Sequence, residues 1–260
     1  MGHNRLGRLA RTRRWKEVIA LLDSPDLRAN DVASATIQVT ESRFRQLAND
    51  PALGYAFWTL ARITAAARQP DFLAELSWLG VQPTASSALA LIGATVDHIR
   101  RHLSRLSERS DFSEIAVLAV AKSLTETVGR EGPSLFDSEA QDAQRAFRTY
   151  STPARFSELS QTFFADFVAR SLRSFVDREI SNHAGEGRPL PGAAGTKNFL
   201  DALDRHTREA ARIVREFSGG WYSLHNWESA GDIGLDDAQR FVAQALRKLR
   251  GELKRGAAPV

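Results

Sequence analysis

The chain of 260 residues has ordinary globular composition, 43% hydrophobic and 25% charged, so it is long enough to bury a core, and no long tract is polar enough to stay unfolded. It has no cysteine, which excludes disulfides, thiolate nucleophiles and thiolate metal sites and suits a cytoplasmic protein. The net charge of +4 is uneven: residues 1–16 hold Arg5, Arg8, Arg11, Arg13, Arg14 and Lys16 with no acid, and residues 246–260 carry +4, leaving −6 on the rest.

Residues 1–14, with two glycines, many arginines and few apolar groups, read as a flexible basic arm. No apolar h-region follows it, and no apolar run approaches the ~20 residues of a membrane span. From Trp15 a stripe of Val18, Ile19, Leu21 and Leu22 gives a first short helix, stopped at Asp23-Ser24-Pro25. Asp31 is a candidate cap for a second helix reaching about Ala48. Asp50-Pro51 is a sharper start, because Asp accepts from orphan amides while Pro at the first position has none to leave unsatisfied. The helix it opens, about 51 to 67, places Leu53, Phe57, Leu60 and Ala61 on one face. A short helix with Phe72, Leu73, Leu76 and Leu79 follows Pro70 and ends at Gly80.

Thr84 and the serines after it lead into a helix to about Ser107, apolar at Leu89, Ile92, Val96, Ile99, Leu103 and Leu106. The next, Ser113 to Val128, is apolar nearly all round and is expected in the middle of the fold. The Gly129 to Ser134 break then divides the chain into an N-terminal helical subdomain, 15–131, and a C-terminal one, 134–255. After a polar helix at about 137 to 150, residues 154 to 182 carry Phe156, Phe163, Phe164, Phe167 and Phe175 with no Gly or Pro, the long central helix of the second half. A loop from Gly185 to Gly195 precedes a helix capped by Thr196 and stopped by Gly219-Gly220. Trp221 to Gly234 reads as a loop, and a last helix starts near Asp236. The expected fold is all-α: an irregular multi-helix bundle of about nine helices.

Four features bear on chemistry. His98 and His102 lie four apart on a helix, a spacing that suits two ligands of one metal, but Ile-Arg-Arg stands between them without a zincin glutamate, so they read as a polar stripe. Gly192-Ala-Ala-Gly195-Thr196-Lys197 lacks Walker spacing and a preceding strand, and reads as a connection and cap. Trp221, Tyr222, His225 and Trp227 form the densest aromatic cluster, suited either to covering the ends of the last helices or to binding a partner. The arginines of the arm, Arg5, Arg8, Arg11, Arg13 and Arg14, suit nucleic-acid phosphates; a solvated tail is the other reading. No motif indicates an enzyme, a metal or a cofactor.

The opening Met1-Gly2-His3-Asn4-Arg5-Leu6-Gly7 and the later Phe217-Ser-Gly-Gly-Trp221 and Ala245 to Leu253 segments resemble small helical proteins of bacterial antiphage defence operons. The arrangement is similar to the non-enzymatic partner in operons containing a QueC-like deazaguanine enzyme. That resemblance implies an adaptor or scaffold acting with an ATPase or modifying enzyme of the same operon, and a Gly2 amine, exposed once Met1 is removed, as a modification site. Oligomerisation is compatible with it. Leu6 departs from the Ser or Thr of the myristoylation pattern.

Overall fold

The helix that organises the molecule starts where the sequence demands it. Asp50 Oδ1 accepts from the amides of Ala52 at 2.8 Å and Leu53 at 3.3 Å, and Pro51 occupies the first turn. The computed structural model describes residues 13–39, 45–82, 87–105, 112–131, 140–183, 192–228 and 232–255. It contains twelve helices in these residues: α1 Arg13–Leu22, α2 Ala29–Val39, α3 Pro51–Ala66, α4 Phe72–Trp78, α5 Ala88–Ser104, α6 Ser113–Glu126, α7 Val128–Glu131, α8 Ala140–Thr149, α9 Pro153–His183, α10 Gly192–Ala210, α11 Arg212–Glu228 and α12 Leu235–Arg255. No strand occurs among the described residues.

α3 is buried almost all round, from Ala52 to Ala66. Its polar side chains tolerate this because they satisfy themselves within the helix: Thr59 Oγ1 donates to Tyr55 O at 2.9 Å, and Thr64 Oγ1 lies 3.0 Å from both Leu60 O and Ala61 O. The middle position expected for the segment after Ser113 therefore belongs to α3, whereas α6 leaves Leu118 exposed. The long central helix stands as expected. α9 has 31 residues, about 46 Å at ~1.5 Å per residue. Thr152 Oγ1 accepts from Arg155 N at its start, and the helix packs against α6, α10 and α11.

One aromatic cluster joins the two halves. The Phe57 ring of α3 lies 5.3 to 6.0 Å from Phe156, Phe163 and Phe164 of α9, 5.6 Å from Trp221 and 4.9 Å from Phe241 of α12. Each such pair contributes ~0.5–1.5 kcal/mol beyond the area buried. The segments on either side of Gly132 thus share one apolar core, running from Val18 to Leu253.

Several boundaries differ from the sequence expectation. The excess over nine helices comes mainly from the turn α7 and from the region 192–228, which forms two helices broken at Ala211. α10 begins at Gly192, so Thr196 lies inside it, and Asp31 lies in the first turn of α2 instead of capping it. α1 already includes Arg13 and Arg14, which the sequence reading assigns to the arm. The largest correction concerns Gly219-Gly220, which neither ends a helix nor opens a loop: α11 runs through both to Glu228.

Candidate functional site

The residues singled out in the sequence separate when placed on the fold. Gly2, Arg5, Arg8 and Arg11 lie outside the described residues, as do the side chains of Arg13, Arg14 and Trp227. Trp221, Tyr222 and His225 stand on α11, and their side chains turn to the core and to α12. Tyr222 is fully buried, stacks on Phe156 with ring centroids 3.9 Å apart, and places its hydroxyl 3.2 Å from that of Thr64. Trp221 is partly buried against Phe57 and Phe241. His225 Nδ1 donates to Trp221 O at 2.9 Å, and its Nε2 is 3.7 Å from Asp237. Tyr222 lies in the core, Trp221 packs against it, and His225 is partly buried beside α12.

α11 reaches this position because Gly219 has no side chain. A Cβ there would meet the carbonyl oxygen of Pro153 and the hydroxyl oxygen of Ser157, each at 2.6 Å. The close approach of α11 to the start of α9 is what carries Trp221 and Tyr222 inward.

The most distinctive surface lies elsewhere. Trp78, the last residue of α4, is 75% exposed, and it borders a cleft of about 520 Å³ lined by Arg62, Ala65, Ala66, Gln69, Ala74, Glu75 and Asp232. A single exposed apolar side chain is ordinary on a protein surface; Trp78 stands out because it borders a cleft beside a buried guanidinium. The Arg62 guanidinium sits 5.8 Å from the Trp78 ring centroid, and its Nη1 donates to Asp232 Oδ1 at 2.5 Å. The ion pair is lopsided: the Arg62 side chain is 8% exposed and that of Asp232 is 78% exposed. Asp232 is held in place through its neighbour, since Ile233 is buried and its carbonyl accepts from Trp58 Nε1 at 2.7 Å.

A second cleft of about 510 Å³ shares Ala65 and Gln69 with the first and is lined as well by Arg68, Ser151, Pro153, Tyr222, Ser223 and Asn226. Gln144 Nε2 donates to Ala67 O at 3.3 Å and Gln69 O at 2.8 Å, which ties α8 to the chain just after α3. The sequence held one clue to this region. Arg62 is the only charged residue in Pro51–Ala66, and a lone charge in an apolar helix must find a partner or the surface.

The histidine pair takes a different form from a metal site. Gly80 O accepts from His98 Nδ1 at 3.0 Å, so Nε2 holds the lone pair and accepts from the Tyr55 hydroxyl at 2.7 Å. Neither nitrogen of His98 is left for a cation in this arrangement. Burial foremost pushes the pKa of His98 down, and burial also lowers that of His102 and raises that of Tyr55. Among the described residues, no group of three or more His, Asp or Glu side chains converges to hold a metal ion, and no helix is long and apolar enough to cross a membrane. Lys197, at the glycine-rich segment, pairs with Asp201 one turn on at 2.6 Å.

Compared with protein-family models, curated proteins and solved structures, the chain matches none of them.

Proposed function

We propose that this chain is a non-enzymatic helical adaptor that binds a partner protein through the cleft between Trp78 and Asp232. The carrying observation is Trp78 itself, a large aromatic held in solvent above a buried guanidinium. Trp and Arg are the side chains enriched among those that dominate binding energy at protein interfaces. The groups around them are of the kind that bind and orient: an indole face, an ion pair already formed, the Gln69 amide and the Glu75 carboxylate. Asp232 neutralises Arg62, so Glu75 gives the rim a negative charge, which suits a partner surface mixing apolar and cationic groups. The resemblance of the chain's two ends to the non-enzymatic component of antiphage defence operons supports a partner encoded in the same operon.

The test is Trp78→Ala in the full chain, co-expressed with the products of neighbouring genes. We expect partner affinity to fall by about thirty-fold or more, equivalent to ~2 kcal/mol at an interface anchor, with the denaturation midpoint almost unchanged because the side chain is exposed. Undiminished affinity would overturn the assignment of the cleft, and isolation of the native protein as a non-interacting monomer would overturn the adaptor reading.

The arginine-rich arm supports a second reading, a nucleic-acid binder in which cationic residues contact backbone phosphates beside a body of net negative charge.

A further inference from the structure

The face of α5 that carries the two histidines also carries two arginines. His98, Arg101, His102 and Arg105 follow i, i+3, i+4, i+7 spacing, which brings them onto one side of the helix, where with Gly80 and Gln82 they line a small cleft of about 180 Å³.

The floor of this cleft is built with some specificity. Gly80 ends α4 with φ of 79°, a conformation that favours glycine, and Val81 N bonds back to Leu76 O at 2.8 Å. A Cβ on Gly80 would lie 3.1 Å from His98 Cε1, so the same residue closes the turn and admits the imidazole. Tyr55 then fixes both histidines. Its hydroxyl bonds to His98, and its ring stacks on His102 with centroids 3.5 Å apart and planes within 6°. Stacking sets the plane of the His102 ring while its nitrogens make no hydrogen bond among the described residues.

Among the described residues, nothing compensates the charge around the cleft. Asp97 and Glu114 both pair with Arg100, at 3.5 and 3.2 Å, on the neighbouring face. No carboxylate lines the cleft, and Arg101 and Arg105 make no ion pair among the described residues. After burial and the opposing hydrogen bond that His98 donates to Gly80 O, the charges of His102, Arg101 and Arg105 all act to lower the pKa of His98. Cations in the last turn do offset a helix C-terminus. That accounts for their sign, but not for a shaped cleft with a stacked, unpartnered imidazole.

We propose that this cleft binds a phosphate-class dianion, held by the guanidinium groups of Arg101 and Arg105 and an N–H of His102, with Gln82 at the rim. His98, Tyr55 and Gly80 act as positioning residues. Guanidinium forks match phosphate oxygens in pairs, and the cleft is large enough for a phosphoryl group but not for a whole nucleotide, so the rest of the ligand lies outside it.

Histidine side-chain NMR on the full chain provides the test, with inorganic phosphate replacing chloride at constant ionic strength and pH. Saturable shifts of the His98 and His102 signals are expected, and the double variant R101Q/R105Q should weaken phosphate binding roughly ten-fold or more, since charge-assisted bonds carry the affinity. Both arginines are exposed, so the variant should keep its helical circular dichroism. Phosphate shifts no larger than those in chloride would sink the site without reference to any variant, and so would unchanged affinity in a folded double variant. An equal response to dimethyl phosphate, a monoanion, would overturn the dianion assignment.

Discussion

Tyr222 shows how one residue's chemistry follows from its position. Burial is the main influence on its phenol and pushes the pKa up to about 12 from 10.0, with the Thr64 hydroxyl and Arg68 pulling weakly the other way. In the unfolded chain the proton leaves near the ordinary value, while the folded protein holds it longer. The stabilisation is therefore complete below pH 10 and lost as pH rises toward about 12. Tyr222→Phe should cost about 1 kcal/mol at neutral pH through the lost hydroxyl contact, and it should flatten the alkaline fall in stability. Urea denaturation of both proteins between pH 7 and 12 checks this; parallel alkaline falls would contradict the burial argument.

At the scale of the element, the two adjacent glycines of α11 are expected to behave oppositely. Gly219→Ala forces a methyl group against the Pro153 carbonyl and Ser157, so α9 and α11 must separate, a loss of ~1–3 kcal/mol typical of overpacking. Gly220→Ala meets nothing within 4 Å and replaces a poor helix former with the best one, a gain of up to ~1 kcal/mol. Denaturation midpoints shifted in opposite directions are the expected result. Two equal shifts would mean that α11 does not approach α9 as described.

For the whole molecule, the decisive feature is charge separated from core. The apolar cluster uses residues from α1 to α12, while +6 resides on the first sixteen residues. Residues 2–12 precede every described residue, so deleting them removes no part of the helices named above. If the arm neutralises nucleic-acid phosphates, that deletion removes Arg5, Arg8 and Arg11 and should lower the log–log salt slope of oligonucleotide binding by about 3, at ~0.9 per phosphate contact. Fluorescence anisotropy at several salt concentrations measures the slope; no change would remove the arm from any binding mechanism.

The sequence by itself determined the all-helical class, the start at Asp50-Pro51, the stop at Gly80 and the apolar face of α9. These depend on signals within a turn or two of the residue concerned: a side-chain cap, a missing amide, a repeat of 3.6. Tertiary structure alone decided what depends on distant neighbours. A glycine inside a helix can mark a stop or a close contact, and Gly219 is a contact only because Pro153 lies against it. Arg62 is partnered by Asp232, 170 positions away, and Trp78 meets both only through the packing of α4 beside α3. The spacing of His98 and His102 was legible, but Arg101 and Arg105 join them only in the fold, where Asp97 and Glu114 turn toward Arg100 instead. Local backbone preferences act within a few residues, whereas packing and electrostatics act through space, so the helices could be read from the chain and the surfaces could not.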